Sequence, residues 1–242
     1  MALLATEDVV VRFGGVRALS ETSVSVDPGC VTGLIGPNGA GKTTLFNVIT
    51  GLQEPDGGRV LFEGTDITRF SPYRRARLGI SRTFQKLEAF SSLSARDNVL
   101  VAAEQRKAWD RSPFSPAGVT DELLERVGIG GVAHYMVGTL PTGTARLVEL
   151  ARALALNPRV LLLDEPSSGL NEEETSAMAG LLRGLVSDGL AVLLVEHDMS
   201  FVMGTCELIY VLEFGQIIAT GGPDAIQANP AVQAAYLGSA AR

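Results

Sequence analysis

A glycine-rich stretch in the first quarter of the chain reads Gly36-Pro37-Asn38-Gly39-Ala40-Gly41-Lys42-Thr43-Thr44. It matches the spacing Gly-x-x-x-x-Gly-Lys-[Ser/Thr]. Its glycines let the backbone curl with the N–H groups pointing inward, because glycine reaches positive φ without a Cβ clash. Lys42 adds a positive charge for β and γ phosphates, and the Thr43 hydroxyl can ligate Mg²⁺. The stretch therefore predicts a loop that binds the phosphates of a nucleoside triphosphate.

The flanking residues supply the strand and the helix that such a loop requires. Residues 30–35 form a short apolar run, which is typical of a buried strand. Residues 44–49 have helical spacing and stop at Gly51, so the helix should begin near Gly41 with its positive dipole end toward the phosphates. The alternative is a glycine-rich turn that happens to carry a lysine. The order strand, loop, helix favours the phosphate loop.

Composition limits the classes of protein that the chain can belong to. The 242 residues are 46% apolar and 19% charged, as in a globular protein with one large domain or a core plus a smaller subdomain. The net charge of −7 argues against a general nucleic-acid surface, so we expect no nucleic-acid partner. The two cysteines, Cys30 and Cys206, lack a metal-site spacing and are interpreted as buried free thiols in a reducing compartment.

Nothing in the sequence predicts a chain that crosses or leaves the membrane by itself. The first residues are acidic and lack the basic region of a secretory signal. No apolar stretch approaches the roughly 20 residues needed to cross a bilayer. We therefore expect a cytosolic chain whose attachment to a membrane comes through a partner.

The pattern along the chain divides it into three parts. Alternating residues predict half-buried strands over 7–13, 20–27 and 59–64. The middle predicts helices over 94–106 and 120–127, with a surface loop over 109–118. Afterwards apolar runs and helical spacing return, predicting a strand over 160–163, a helix over 172–187, a strand over 190–195, and a strand pair over 207–212 and 216–219.

Together these elements predict an α/β fold with a phosphate-loop NTPase core. The core is a mixed or parallel sheet with flanking helices and an antiparallel β-subdomain, and a helical subdomain is inserted into it. We expect a single domain over 1–242, in which 1–85 and 151–242 form the core and 86–150 form the helical subdomain.

Two carboxylates follow the apolar run that begins at Val160. Asp164 and Glu165 should lie at the carboxyl edge of a parallel sheet, where open α/β folds bind ligands. Asp164 can hold Mg²⁺ directly or through water, and Glu165 can polarise an attacking water. The alternative is a solvated acidic strand end. The phosphate loop upstream favours a catalytic pair.

Two further polar side chains are candidates for the same edge. His197 comes just after the second buried strand, where an imidazole can contact the γ-phosphate and orient water. Gln85 lies at the junction of the core and the helical insertion, where its amide can touch Mg²⁺ or the water and report the nucleotide state to the insertion.

In their order and spacing these motifs resemble the ATP-binding cassette ATPases, over nearly the whole chain. The resemblance implies that Gly36 to Thr44 form the Walker A loop, and that Leu161 to Glu165 form Walker B with Glu165 as the catalytic base. It also implies that Gln85 is the Q-loop glutamine and His197 the switch histidine. The family's remaining matches are the D-loop, at Ser168 to Asn171, and an aromatic stacked on adenine, at Phe13. A phenylalanine in a strand can also be a core residue.

The similarity is finer than the family as a whole. Residues 13–19, 33–36, 45–51 and 82–85 resemble the subfamily that serves branched-chain amino acid importers. The tail over 229–238 is the most specific part of this resemblance, because other cassette subfamilies usually lack it.

One motif departs from the family pattern. The family's signature loop reads Leu-Ser-Gly-Gly-Gln, or Leu-Ser-Tyr-Gly-Gln in this subfamily, and it grips the ATP held by the opposite subunit. Here the aligned residues are Leu140-Pro141-Thr142-Gly143-Thr144. Pro141 removes a hydroxyl and a backbone N–H, and Thr144 replaces the glutamine, whereas Thr142 offers a substitute hydroxyl. We interpret the loop as a weakened contact to the partner's ATP.

The resemblance implies a function for the whole chain. It would be a cytosolic ATPase subunit at the cytoplasmic face of the membrane, taking ATP and Mg²⁺ and closing on a second ATPase subunit, the same chain or a paralogue. Residues 86–98 would dock an integral-membrane permease, which an extracytoplasmic solute-binding protein would supply with a branched-chain amino acid or a related small solute. The alternatives are the ATPase of a lipopolysaccharide-type exporter and a regulatory cassette protein without a transporter.

Overall fold

The computed structural model describes residues 2–239, with side chains as far as Tyr236. The strands within this range are β1 (Leu4–Phe13), β2 (Val16–Val26), β3 (Val31–Ile35), β4 (Gly57–Phe62), β5 (Thr65–Asp66), β6 (Ile80–Arg82), β7 (Val160–Asp164), β8 (Ala191–Val195), β9 (Leu208–Glu213) and β10 (Gln216–Gly221). The α-helices are α1 (Lys42–Thr50), α2 (Pro72–Leu78), α3 (Ala95–Lys107), α4 (Pro116–Arg126), α5 (Thr142–Ala155), α6 (Glu172–Ser187), α7 (Met199–Thr205), α8 (Pro223–Gln227) and α9 (Pro230–Ser239).

A six-stranded sheet with the order β10-β9-β3-β8-β7-β6 forms the centre of the molecule. Strands β9, β3, β8, β7 and β6 are parallel, and β10 closes one edge as the antiparallel partner of β9. Every residue of β3, β7 and β8 is buried, which explains their continuous apolar sequences. Because parallel strands end at the same edge, the segments that follow β3, β6, β7 and β8 converge there.

A second, antiparallel sheet with the order β2-β1-β4-β5 lies over one face of the central sheet, with α1 between them. Leu4, Val9 and Val11 of β1 belong to the same buried apolar cluster as Leu45 and Phe46 of α1. On the other face of the central sheet, α5 and α6 form a separate apolar cluster that extends to α3 and α4. The α/β fold with a mixed sheet, flanking helices and an antiparallel sheet is confirmed.

The helices of the middle segment pack on one another and on the sheet. Helix α5 runs across residue 150 without a break and leads into β7. The expected boundary between 150 and 151 therefore falls inside a helix, and the division into a core and an 86–150 subdomain stays a prediction.

Several predicted boundaries differ from the structure. Helix α4 begins at Pro116 rather than at residue 120, because the Ser115 hydroxyl accepts a hydrogen bond from the Gly118 N–H and a proline is tolerated in the first helical turn. The prediction of a loop over 109–118 was therefore wrong for residues 116–118, which belong to α4. Helix α2 was not predicted, although Ser71 and Pro72 give it the same kind of start.

Two smaller corrections concern burial and strand length. The strand predicted over 59–64 ends at Phe62, because Glu63 and Gly64 turn the chain with positive φ. Cys206 is buried, and burial raises its pKa to about 12, whereas Cys30 is only half-buried.

Within residues 2–239, no helix combines the length and the apolar character needed to span a membrane.

Candidate active site

The loop between β3 and α1 has the backbone that its glycines predicted. Gly36, Gly39 and Gly41 have φ values of +150°, +79° and +112°. A Cβ on Gly36 would lie 1.9 Å from the Leu212 carbonyl oxygen, and one on Gly41 would lie 2.5 Å from that of Ala18. A side chain at either position would therefore displace the loop, besides straining its backbone. Helix α1 begins directly after Gly41, so its N–H groups and dipole face the loop.

The ammonium group of Lys42 is held inside this loop. Its Nζ donates hydrogen bonds to the carbonyl oxygens of Gly36, at 2.6 Å, and Pro37, at 3.0 Å. Burial lowers the pKa of Lys42, whereas the nearby carboxylates of Glu165 and Asp164 act in the opposite direction. The loop therefore carries a fixed positive charge beside the two acids, as the binding of a polyphosphate requires.

The two adjacent carboxylates have different neighbours. Asp164 ends β7, is 3% exposed, and accepts a hydrogen bond from Arg82 Nη2 at 2.8 Å. Glu165 follows with φ of +52°, an uncommon conformation for a residue with a side chain. Its carboxylate meets the Nε2 atoms of His197, at 2.7 Å, and Gln85, at 3.0 Å. The structure therefore brings Gln85 and His197, two of the proposed catalytic residues, into direct contact with the third, Glu165.

The loop and these polar residues line one cleft of about 300 Å³. Its lining includes residues 38–44, Gln85, Asp164, Glu165 and His197, with Phe13 at its margin. Phe13 is 53% exposed, which argues against a core role. A larger cleft of about 660 Å³ lies among α4, the end of α6 and the first residues. Its arginines, Arg106, Arg126 and Arg159, form ion pairs with Asp110, Asp188 and Glu63, so their charges are already neutralised.

The oxygen atoms at this cleft suit a magnesium ion. Thr43, Gln85 and Asp164 all line it and offer a hydroxyl, an amide oxygen and a carboxylate. Arg82 engages one oxygen of Asp164, and a carboxylate has a second that can accept. Among residues 2–239 there is no cluster of three or more His, Cys, Asp or Glu side chains arranged for a metal. A magnesium ion here would therefore depend on few protein ligands plus substrate phosphates, which is its usual mode.

The altered signature residues lie elsewhere. Pro141 is the N-cap of α5 and makes no side-chain capping hydrogen bond, and Thr142, Gly143 and Thr144 form the first turn. The lining of the nucleotide cleft does not include Leu140 to Thr144. A Cβ on Gly143 would lie 2.8 Å from Leu170 Cδ2, so the glycine allows a close approach of the two segments.

Sequence reasoning missed three side chains that hold the site together. Buried Glu196 accepts hydrogen bonds from the N–H and hydroxyl of Ser167 and from the N–H of His197. Arg82 pairs with Asp164. Tyr236 in α9 is hydrogen-bonded to the backbone of Gly36, and burial raises its pKa. Glu196 could have been found from the sequence, because it directly follows a buried strand. Arg82 and Tyr236 could not, because their contacts depend on long-range packing.

A phosphate loop and a carboxylate pair at one edge of a six-stranded sheet, overlaid by an antiparallel sheet, define the class of phosphate-loop ATPases. Comparison with protein-family models narrows the class. Residues 19–168 match the model described as ABC transporter, and residues 216–242 match the model described as branched-chain amino acid ATP-binding cassette transporter. The chain therefore belongs to the ABC transporter family, as an ATP-binding cassette with ATPase function.

Individual relatives agree with this family over the whole chain. The chain is 38% identical to the high-affinity branched-chain amino acid transport ATP-binding protein BraF of Pseudomonas aeruginosa, over 98% of both proteins. It is 34% identical to the lipopolysaccharide export system ATP-binding protein LptB of Haemophilus influenzae, also over 98% of each. A solved ATP-binding cassette of an ABC transporter in its ADP conformation is 32% identical, with a TM-score of 0.87 over 98% and 99% of the two chains.

Proposed function

We propose that this chain is the ATP-hydrolysing subunit of an importer for branched-chain amino acids or a related small solute. The match of residues 216–242, which include β10, α8 and α9, to the branched-chain amino acid transporter model carries the proposal. The similarity to BraF over nearly the whole chain supports it.

The proposed reaction uses each group of the cleft in a defined way. The loop N–H groups and Lys42 bind the phosphates, and the exposed Phe13 ring stacks on adenine. Glu165 takes a proton from water while the water oxygen bonds to the γ-phosphorus and the bond to the β–γ bridging oxygen breaks, giving ADP and phosphate. His197 and Gln85 contact the Glu165 carboxylate and orient the water.

Magnesium completes the proposed site. When bound, the ion neutralises charge on the phosphate oxygens as the bond to the γ-phosphorus breaks. Thr43, Gln85 and Asp164 are its proposed protein ligands, because all three line the cleft beside Lys42. Arg82 would keep the Asp164 carboxylate oriented toward that position.

We further propose that two ATPase subunits enclose the nucleotide between them. Leu140 to Thr144 lie outside the cleft of their own chain, at the N-terminus of α5, where the exposed Pro141 and Thr142 can face the ATP of a second subunit. The helix dipole at this position favours an anion. The second subunit is either another copy or a related chain.

The proposed permease site is the surface around residues 86–98. Leu87, Phe90 and Val101 are 42%, 47% and 45% exposed, and apolar side chains that are exposed together rather than singly mark an interaction surface. Phe90 and Val101 also line a groove of about 190 Å³ with Arg82 and Phe84, close to the nucleotide site. Docking here would place the chain at the cytoplasmic face of the membrane. The permease would receive its solute from an extracytoplasmic binding protein.

The second candidate is the ATPase of a lipopolysaccharide exporter, which the 34% identity to LptB favours. Purifying the chain from membranes and identifying the permease that accompanies it separates the two. We expect an importer permease, and binding lost in Phe90→Asp but kept in the control Leu52→Asp, since Leu52 is 55% exposed and distant in sequence from residues 86–98. An exporter permease would contradict the importer, and retention by Phe90→Asp would contradict the docking surface.

A further inference from the structure

Three charged side chains on α5 hold the backbone of the segment that carries Gln85. Arg146 donates from Nη1 to the Phe84 carbonyl oxygen at 3.0 Å and from Nη2 to that of Gln85 at 2.7 Å. Glu149 accepts from the Glu88 N–H, and Arg152 donates to the Glu88 carbonyl oxygen at 2.9 Å. Their spacing of three residues places them on one face of the helix. The segment 84–88 is therefore attached to α5 at both ends.

The Arg146 contact is built for a fixed geometry. Its side chain is 9% exposed, and its planar guanidinium binds two successive carbonyl groups at once, which a flexible lysine cannot do equally well. The Glu149 carboxylate lies 3.9 Å away, and burial raises the pKa of Glu149. Little water competes for these hydrogen bonds, so they constrain the backbone at Gln85 more than exposed contacts would.

The chain passes from the central sheet to α5 between residues 83 and 84. Thr83 belongs to the sheet, since its N–H donates to the Leu162 carbonyl oxygen at 2.9 Å and its hydroxyl accepts from the Asp164 N–H at 3.3 Å. Phe84 and Gln85, directly afterwards, are held by Arg146. A displacement of α5 relative to the sheet would therefore bend the chain between residues 83 and 84 and carry Gln85 with the helix.

We infer that Arg146 is a positioning residue for ATP hydrolysis. It fixes the Gln85 backbone to the helix that begins at Thr142, so that the Gln85 amide reaches Glu165 only when α5 is correctly placed. The inference rests on the proposed role of Gln85 at the active site. Arg146 contacts the Gln85 backbone and acts through Gln85, without touching the substrate.

The test combines Arg146→Met with Gln85→Ala in a double-mutant cycle on the full chain. A misplaced catalytic group costs up to about a hundredfold, so we expect kcat of Arg146→Met to fall about ten- to a hundredfold, with ATP affinity within about twofold of the parent. The double variant should match Gln85→Ala, because the two residues act as one unit. Arg106→Met is the matched control, since Arg106 is a similarly shielded arginine in α3 that pairs with Asp110.

Arg146→Lys covers the case in which Arg146→Met does not fold. It should lower kcat by a smaller factor when Gln85 is present and change nothing in the Gln85→Ala background. The inference would be overturned if Arg146→Met had the same kcat as the parent. It would also be overturned if the fold-losses in kcat of the two single variants multiplied in the double variant. A Gln85→Ala variant with the kcat of the parent would also overturn the inference. Loss of hydrolysis in Glu165→Gln would then show that the proposed ATPase site is correct even though the role of Arg146 is not.

Discussion

Asp164 and Glu165 are adjacent in sequence, yet the fold gives them separate neighbours. Asp164 is buried against Arg82, whose guanidinium also donates to Asn47 Oδ1 at 2.6 Å in α1. Glu165 faces the cleft between Gln85 and His197. The arginine therefore joins the phosphate-loop helix to the end of β7, and leaves Glu165 as the acid available to water.

The buried pair makes a prediction about stability. Arg82→Met should lower the free energy of unfolding by about 3–5 kcal/mol, because removing one partner leaves a buried charge uncompensated. Urea unfolding measures this difference. The control is Arg59→Met, which breaks an exposed pair with Glu7 and should cost less than about 1 kcal/mol. Equal effects of the two substitutions would show that burial of the Arg82 pair is unimportant.

At the residue scale, the sequence is most informative for side chains whose spacing is local. Gly36, Gly41 and Lys42 are recognisable because a phosphate loop needs them within a few positions. Arg82 meets a partner 82 residues away, and Arg146 meets Gln85 across 61 residues. Such pairings depend on strand order and helix packing, which one sequence does not reveal.

At the scale of elements, the start of α5 is where the chain departs from its family's pattern. Pro141 occupies the N-cap with ψ of +151°, the backbone conformation of a normal cap, but it has no side-chain acceptor for the first-turn N–H groups. The helix therefore begins without the hydroxyl that would both stabilise its end and reach an anion. The weakened signature contact stays a prediction.

Restoring the family residues should strengthen that contact. We expect the double variant Pro141→Ser, Thr144→Gln to raise turnover of the assembled transporter about tenfold, since a hydrogen bond to a charged group is worth about 1.5–3 kcal/mol. Steady-state phosphate release measures it. The serine should also cap α5 and add about 1 kcal/mol to the stability of the chain. Unchanged turnover, with the stability gain present, would count against a weakened contact.

The elements also show where sequence reasoning succeeds. Strands β3, β7 and β8 and helix α6 were predicted almost to the residue, because burial on both faces and a capped start leave strong local patterns. Helix α4 was shortened because Pro116 was interpreted as part of a loop, and helix α2 was not predicted at all. Ser71 and Ser115 before those prolines carried the correct information.

At the scale of the whole molecule, two apolar clusters lie on opposite faces of the central sheet. One joins the antiparallel sheet to α1, and the other joins α5 and α6 to the helices of the middle segment. The nucleotide cleft draws its residues from both halves: residues 38–44 lead into α1, whereas Gln85 is attached to α5. A bound nucleotide would therefore link the two clusters.

This arrangement predicts stabilisation of the entire chain by its substrate. With free MgATP at about 100 times its Kd, the free energy of unfolding should rise by about 2.7 kcal/mol. Thermal or urea unfolding of Glu165→Gln avoids hydrolysis during the measurement. Adding Lys42→Met should abolish the rise, because the charge that holds the phosphates is lost. An equal rise in both variants would show binding elsewhere.

Hydrolysis at this site depends most on Glu165, acting as the base beside a nucleotide that the phosphate loop holds. The direct measurement compares MgATP binding and phosphate release in the parent and in Glu165→Gln, with the exposed Glu172→Gln as control. Losing a general base costs about 10²- to 10⁴-fold, so we predict binding within about threefold of the parent and hydrolysis at least about a hundredfold slower. Turnover at the parental rate in Glu165→Gln would contradict the role of Glu165 as the base. No binding of adenine nucleotide by the parent would contradict the nucleotide site itself.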